Sequence, residues 1–160
     1  MAAVQHMFVS HLDWPGASKG PTRDAATFSR DLNVTFDAVT LPMSSAPAFR
    51  GDPSRVNPEQ LFVASLSACQ ALTYLFLAAR HQIAVVGYSD DAQGQLEIVD
   101  KKMRMSRVVL RPQIVLESGA DENRARELVD KAHETCFIAN SVAVAMTIEP
   151  TVHVAEVTLR

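Results

Sequence analysis

The stretch from Asn57 to Gln82, NPEQLFVASLSACQALTYLFLAARHQ, decides how this chain folds. Asn57 is an N-cap residue, Pro58 suits the first helical position, and Glu59 puts a carboxylate where the helix dipole favours one. These signals predict a helix from Pro58 to about His81. Between Leu61 and Ala79 it carries no charged residue, so every one of its faces must be covered. At 1.5 Å per residue it spans ~36 Å, about the width of a domain of this length. A helix of that kind is either wrapped by the chain's own sheet or shared with a second subunit. The second reading is preferred here, which makes an obligate homodimer the expectation.

Outward from this helix the chain reads as strands, with one further helix. Residues 4–13 (VQHMFVSHLD) and 26–39 (ATFSRDLNVTFDAV) are rich in β-branched and aromatic residues and predict two antiparallel strands. The turn chemistry of PGASKGP, Pro15 to Pro21, separates them. Leu41 to Asn57 is expected to be a loop, rich in Pro, Ser and Gly and without periodicity. After the long helix, IAVVGYSDDAQGQLEIV predicts one or two strands. Residues 103–117 predict another, with Pro112 arguing for an edge position or a bulge. Asp121 caps an amphipathic helix in which Ala125, Leu128, Val129, Ala132 and Cys136 recur at helical spacing. The tail, VAVAMTIEPTVHVAEVTLR, supplies one or two last strands. Strands not interleaved one by one with helices make the fold class α+β, with a long central helix wrapped by antiparallel sheets. One domain over residues 1–160 is expected from the length.

Composition sets outer limits. Of the 160 residues 48% are hydrophobic and 21% charged, a globular balance rather than a disordered one. A net charge of -3 argues against a nucleic-acid binder acting through bulk electrostatics. No apolar run of ~18 residues free of polar interruption is found, so no membrane span is expected. The N-terminus lacks a basic segment followed by an apolar one, and the cytoplasm is the expected location. The two cysteines, Cys69 and Cys136, are too far apart for a CxxC redox motif or a zinc knuckle. In a reducing compartment they are either buried free thiols or a transient catalytic pair.

Ser65, Cys69 and Thr73 follow one another at i, i+4 and i+8, a slightly polar stripe on an otherwise apolar helix. The stripe is either a helix crossing eased by small residues or a thiol presented to a pocket. A thiol becomes a nucleophile when a cation lowers its pKa, and the helix interior offers none. Arg30, Arg50 and Arg55 lie before the helix and are the candidates. Glu59 and Cys69 are ten residues apart on one helix, ~15 Å along its axis, so they cannot touch within one chain. His133 and Cys136 at i, i+3, with His81, form a weak metal-ligand pattern that a plain amphipathic helix explains better, and no metal or cofactor is expected. The basic run from Lys101 to Arg107 is either a docking surface for an acidic protein or a solvated strand face.

The segment FRGDPSRVNPEQLFVASLSACQALTYLFLAA, together with CFIANSV from Cys136, resembles the OsmC/Ohr family of osmotically induced and organic-hydroperoxide-resistance proteins. The resemblance implies the family's α+β fold, an intertwined homodimer, and thiol-based reduction of organic hydroperoxides. Carried over residue by residue, it makes Cys69 the peroxidatic cysteine and Cys136 the resolving one. Glu59 becomes the acidic partner and Arg50 the arginine that stabilises the Cys69 thiolate, with Arg23 and Arg30 as substitutes for Arg50. It also implies an external dithiol reductant, for which a lipoyl-type group is a candidate, and neither nucleic-acid nor membrane partners. Phe62, Leu66, Phe137 and Ile138 are the candidate apolar lining. Two departures stand out. The common CPVS at the second cysteine is CFIAN here, and Gln70 is unexpected on this helix. They keep a rival reading open, a dimeric module that binds a small apolar ligand without peroxidase turnover.

Overall fold

A computed structural model describes residues 5–156. The chain falls into two compact units that divide between Leu61 and Phe62. In the first, β1 (His11–Asp13), β2 (Leu32–Phe36) and β3 (Val39–Met43) form an antiparallel sheet in that order. The β2–β3 hairpin turns at Asp37, whose φ of 50° lies in the left-handed region that Asp tolerates.

The first expected strand shrinks to three residues, and its start at residue 4 lies outside the described residues. Residues 26–31 are not strand either. The Asp24 carboxylate accepts from the Ala26 N–H at 2.8 Å, and its carbonyl accepts from the Phe28 N–H at 3.1 Å. That local turn outcompetes extended pairing. The expected loop from Leu41 gives up its first residues to β3, which tolerates Pro42 because it is an edge strand. The loop then holds one 3-10 turn, Pro47–Phe49, before Asn57 caps the helix. Here Gln60 N–H donates to Asn57 Oδ1 at 2.8 Å while Asn57 N–H donates to Gln60 Oε1 at 3.0 Å, a reciprocal capping box.

Helix α1 runs from Pro58 to Arg80, one residue short of the expectation. The second unit adds β4 (Val85–Asp90), β5 (Gln93–Val99), β6 (Lys102–Leu110), β7 (Pro112–Leu116), α2 (Glu122–Thr135), β8 (Ala145–Ile148) and β9 (Thr151–Val154). They form two three-stranded sheets, β4-β7-β9 and β5-β6-β8. The single strand expected over 103–117 is two. The chain breaks at Arg111, whose N–H leaves the ladder to donate to Asp90 Oδ1 at 2.6 Å. Pro112 is then the first residue of β7, where its missing N–H costs least, and β7 is a central strand rather than an edge. The all-antiparallel expectation also needs refining. β8 pairs parallel to β6 and β9 parallel to β7, because the chain reaches both after the α2 crossover, the connection parallel pairing requires.

On α1 the residues Leu66, Gln70, Tyr74 and Ala78 are buried, one side of the helix at four-residue spacing. Tyr74 and Ala78 pack with Ala125, Leu128, Val129 and Ala132 of α2 and with Ile114 and Leu116 of β7. Nearer the start, Leu66 packs with Val108 and Leu110. Gly94 permits the close approach there, since a Cβ at that position would lie 2.5 Å from the Val63 and Met105 side chains. By length and composition α1 could also cross a membrane, which the run-length reading of the sequence missed. One side of it packs against α2 and the sheets. The other side of α1 is bare within the chain, with Leu72 69% and Phe76 60% exposed.

Candidate active site

Two elements bring the cysteines together. Cys69 lies midway along α1, and Cys136 is the C-cap residue of α2, fully buried. Both are free thiols, with their sulfurs 2.7 Å apart and Cys136 donating to Cys69. A disulfide bond is ~2.05 Å long, so a small movement separates this pair from bond formation. The CFIAN segment serves the site through its backbone. Ile138 N–H points at Cys69 Sγ and Ala139 N–H at Cys136 Sγ, each at 3.5 Å. Burial, and then the hydrogen bond to Cys69, push the Cys136 thiol above its ordinary pKa, and the two N–H groups partly oppose this. Cys136 is therefore a protonated partner at neutral pH.

Two residues that the sequence reading did not assign hold this geometry. Asn140 Nδ2 donates to the carbonyls of Glu134 (2.9 Å) and Cys136 (3.0 Å), satisfying acceptors that the end of α2 leaves orphaned. Gln70 is buried next to Cys69 and donates through Nε2 to the Val129 carbonyl of α2 at 3.0 Å. That bond ties the helix of one thiol to the helix of the other. Asn in CFIAN and a Gln on an apolar helix were the available signals, and both had been visible only as departures from a pattern.

Beside Cys69 opens a groove of about 790 Å³, inside the range of small-molecule sites. Ser65, Cys69, Leu72, Thr73, Phe76 and Arg80 line it from α1, and Thr135 and Phe137 line it from the end of α2. The Ser65–Cys69–Thr73 stripe is thus presented to a pocket, although Ser65 Oγ is occupied by the Phe62 carbonyl at 2.7 Å. Of the four lining residues expected, Phe137 lines the groove. Leu66 is instead fully buried in the core, and Phe62 packs beside it. Ile138 contributes its backbone N–H. Leu72 and Phe76 were missed, although their spacing of three and seven from Cys69 was readable.

In the first unit Arg50 sits just after the 3-10 turn, at φ 65°, and lines a polar cavity of about 530 Å³ with Lys19, Arg30, Asp31 and Asp52. Among the described residues its side chain makes no hydrogen bond or ion pair. Arg30 is engaged locally, stacked 4.3 Å over the Phe28 ring and donating to the carbonyls of Phe28 and Ala25. Arg55 lies 3.6 Å from Asp52 and 3.8 Å from Asp31. Glu59 occupies the first turn of α1, with Oε2 buried and without a hydrogen-bond partner among the described residues. Among the described residues no three His, Cys, Asp or Glu side chains gather as a metal site.

A scan of protein families matches residues 51–151 to the family described as OsmC-like protein. The chain belongs to the OsmC-like family. An OsmC-like protein of unknown function from Vibrio cholerae is 31% identical and superposes with a TM-score of 0.83, over 92% of this chain and all of that one. An organic hydroperoxide resistance protein OsmC from Legionella pneumophila (21% identity, TM-score 0.67, 94% of this chain and 98% of that one) has the same fold. So has an organic hydroperoxide resistance protein from Elizabethkingia anophelis (19%, TM-score 0.70, 97% and 100%). No curated protein matches the sequence. The OsmC-like fold expected from the NPEQL…SAC and CFIANSV segments is therefore the fold observed.

Proposed function

We propose that this OsmC-like protein is a cysteine-based peroxidase that reduces organic hydroperoxides to alcohols. The observation that carries the reading is the pair of free thiols, Cys69 and Cys136, with sulfurs 2.7 Å apart at one side of an apolar groove. Cys69, the more accessible sulfur, attacks the terminal oxygen of the hydroperoxide as a thiolate. The O–O bond breaks, the alkoxide leaves and takes a proton to become the alcohol, and Cys69 is oxidised to a sulfenic acid. Cys136 then attacks that sulfur, water leaves, and a Cys69–Cys136 disulfide remains. An external dithiol restores both thiols by exchange and is itself oxidised to a disulfide.

Arg50 is the proposed cation that stabilises the Cys69 thiolate, with Glu59 as its carboxylate partner. Glu59 then serves Cys69 through that arginine or from a second copy of the chain. The bare face of α1, with Leu72 and Phe76 exposed, supports a homodimer in which the second copy covers it. A groove lined mostly by carbon favours alkyl hydroperoxides over hydrogen peroxide. The rival, a binding module without turnover, uses the same groove. Thiol counting separates them. One equivalent of cumene hydroperoxide should consume both thiols per chain within seconds, and two thiols persisting after an hour would leave the binding module as the better reading.

A further inference from the structure

The β5–β6 hairpin concentrates positive charge in a chain whose net charge is -3. Lys101, Lys102, Arg104, Arg107 and Arg111 lie in one segment, residues 101–111, that contains no Asp or Glu. Register decides which of them share a face. Val99 pairs with Lys102, Glu97 with Arg104 and Gln95 with Arg107, and successive side chains of β5 alternate, so these three cations stand on one face. A β-bulge between Gln95 and Leu96 is what aligns them. Without it Ser106 would stand opposite Gln95 and Arg107 would turn to the other face; the extra residue re-aims the arginine. The row is ~17 Å long at 3.4 Å per residue.

The opposite face of the hairpin meets α1. A Cβ on Gly94 would lie 2.5 Å from the Val63 side chain, and Val108 packs with Leu66. Lys102, Arg104 and Arg107 are exposed and point away from the helix that a second copy of the chain would cover. Among the described residues none of the three has a carboxylate within ion-pairing distance, whereas Lys19, Arg55, Arg124, Arg126 and Lys131 each do. Glu97, a carboxylate on the same face, accepts instead from Gln95 Nε2 at 3.0 Å. At the Arg107 end the row opens into a polar notch of about 210 Å³, lined by Gln93, Gln95, Arg107, Val109 and Arg111.

We infer that this face is a docking surface for an acidic protein, whose carboxylates pair with Lys102, Arg104 and Arg107 and one of which enters the notch between Arg107 and Arg111. The inference is independent of the peroxidase reading. Charge complementarity selects the partner, because a row of free cations steers an anionic surface and fixes its register. The two guanidiniums at the notch suit a carboxylate through charge-assisted hydrogen bonds. A membrane fits less well. The exposed apolar residues of the hairpin, Ile98 and Met103, lie on the opposite face and would stay out of the lipid. Nucleic acid also fits less well, because one hairpin face neutralises few phosphates and the rest of the chain is net negative.

Fluorescence anisotropy of a labelled peptide of alternating Glu and Ser tests this on the full-length protein. Two triple variants change the net charge equally: Lys102→Gln/Arg104→Gln/Arg107→Gln on the hairpin, and Arg124→Gln/Arg126→Gln/Lys131→Gln on α2. The hairpin variant should bind the peptide about tenfold more weakly than wild type, and the α2 variant within about twofold of it. Added salt should erase the difference between wild type and the hairpin variant. Arg107→Gln alone should cost about threefold and Arg107→Lys less, which keeps the test available should the triple variant unfold. Equal losses in the two triple variants, or a wild type that does not bind the peptide, would overturn the inference. So would oligothymidylate or phosphatidylserine vesicles that bind more tightly than the peptide with the same dependence on the hairpin.

Discussion

Replacing Tyr74 with Phe should make this protein more stable at neutral pH and much more tolerant of alkali. Tyr74 is 1% exposed, packed against α2 and the β4-β7-β9 sheet, and among the described residues its hydroxyl has no hydrogen-bond partner. A buried hydroxyl left unpaired costs ~1–3 kcal/mol, and Tyr74→Phe removes it while keeping the ring. For a chain of this length that is a rise in Tm of about 2–12 °C at fixed protein concentration. Burial also pushes the Tyr74 pKa from 10 up to about 12. A group whose folded pKa is raised contributes its full share below the unfolded value and loses it as pH climbs to the folded value. The unfolded chain releases that proton first, so stability falls between pH 10 and about 12. Two units correspond to ~2–3 kcal/mol, a loss that Tyr74→Phe does not suffer. Tyr88, 6.0 Å away and raised by burial and then by the Asp90 charge, keeps an alkaline limb in both proteins. Urea titrations from pH 7 to 11.5 measure both effects. A variant less stable by ~1 kcal/mol or more at pH 7, with an alkaline limb parallel to wild type, would refute the reasoning and mean that the hydroxyl is bonded.

Asn140→Ala should lower stability by ~1–2 kcal/mol, because two carbonyls at the end of α2 lose their donor. It should also slow disulfide formation after peroxide treatment, followed by the lifetime of a dimedone-reactive sulfenic acid; an unchanged lifetime would count against its positioning role. Gln70→Met should change stability by less than ~1 kcal/mol, since the lost bond to Val129 is offset by removal of the unpaired Oε1. The sulfenic acid should nonetheless live longer in that variant, and a loss above ~3 kcal/mol would mean the glutamine is fully satisfied. Closure of the disulfide should accelerate as pH rises above 8, because the buried Cys136 must ionise to attack; stopped-flow quench and alkylation would detect a flat profile. Sedimentation at nanomolar concentration should find no folded monomer, given the bare side of α1, and a compact monomer there would contradict the homodimer.

The sequence was most readable where local chemistry and periodicity agreed. The Asn57 cap, Pro58 and an uncharged run fixed α1 to within a residue, and Asp121 fixed the start of α2 through its bond to the Arg124 N–H. Strands were less readable, since their partners are remote and local turns compete with them. The Asp24 turn displaced the expected strand over 26–31, and the break at Arg111 depends on Asp90, twenty-one positions away. In the site, the resemblance singled out both cysteines, and their proximity is a tertiary fact that a separation of 67 positions hides. The mixed identity of α1 explains why Leu66 and Phe62 were misplaced. A helix apolar all round gives no sequence signal for which side meets the core and which lines the groove. Buried Gln70 was the one marker of the core side.

In the proposed cycle Cys69 and Cys136 close a disulfide through a Cys69 sulfenic acid when an organic hydroperoxide arrives. Mass spectrometry of the protein treated with one equivalent of cumene hydroperoxide and dimedone reads this out in wild type, Cys136→Ser and Cys69→Ser. Wild type should lose two hydrogens and carry no adduct, Cys136→Ser should carry one dimedone adduct on Cys69, and Cys69→Ser should not react. An adduct on Cys136 in Cys69→Ser, or a wild-type protein that keeps both thiols, would contradict it.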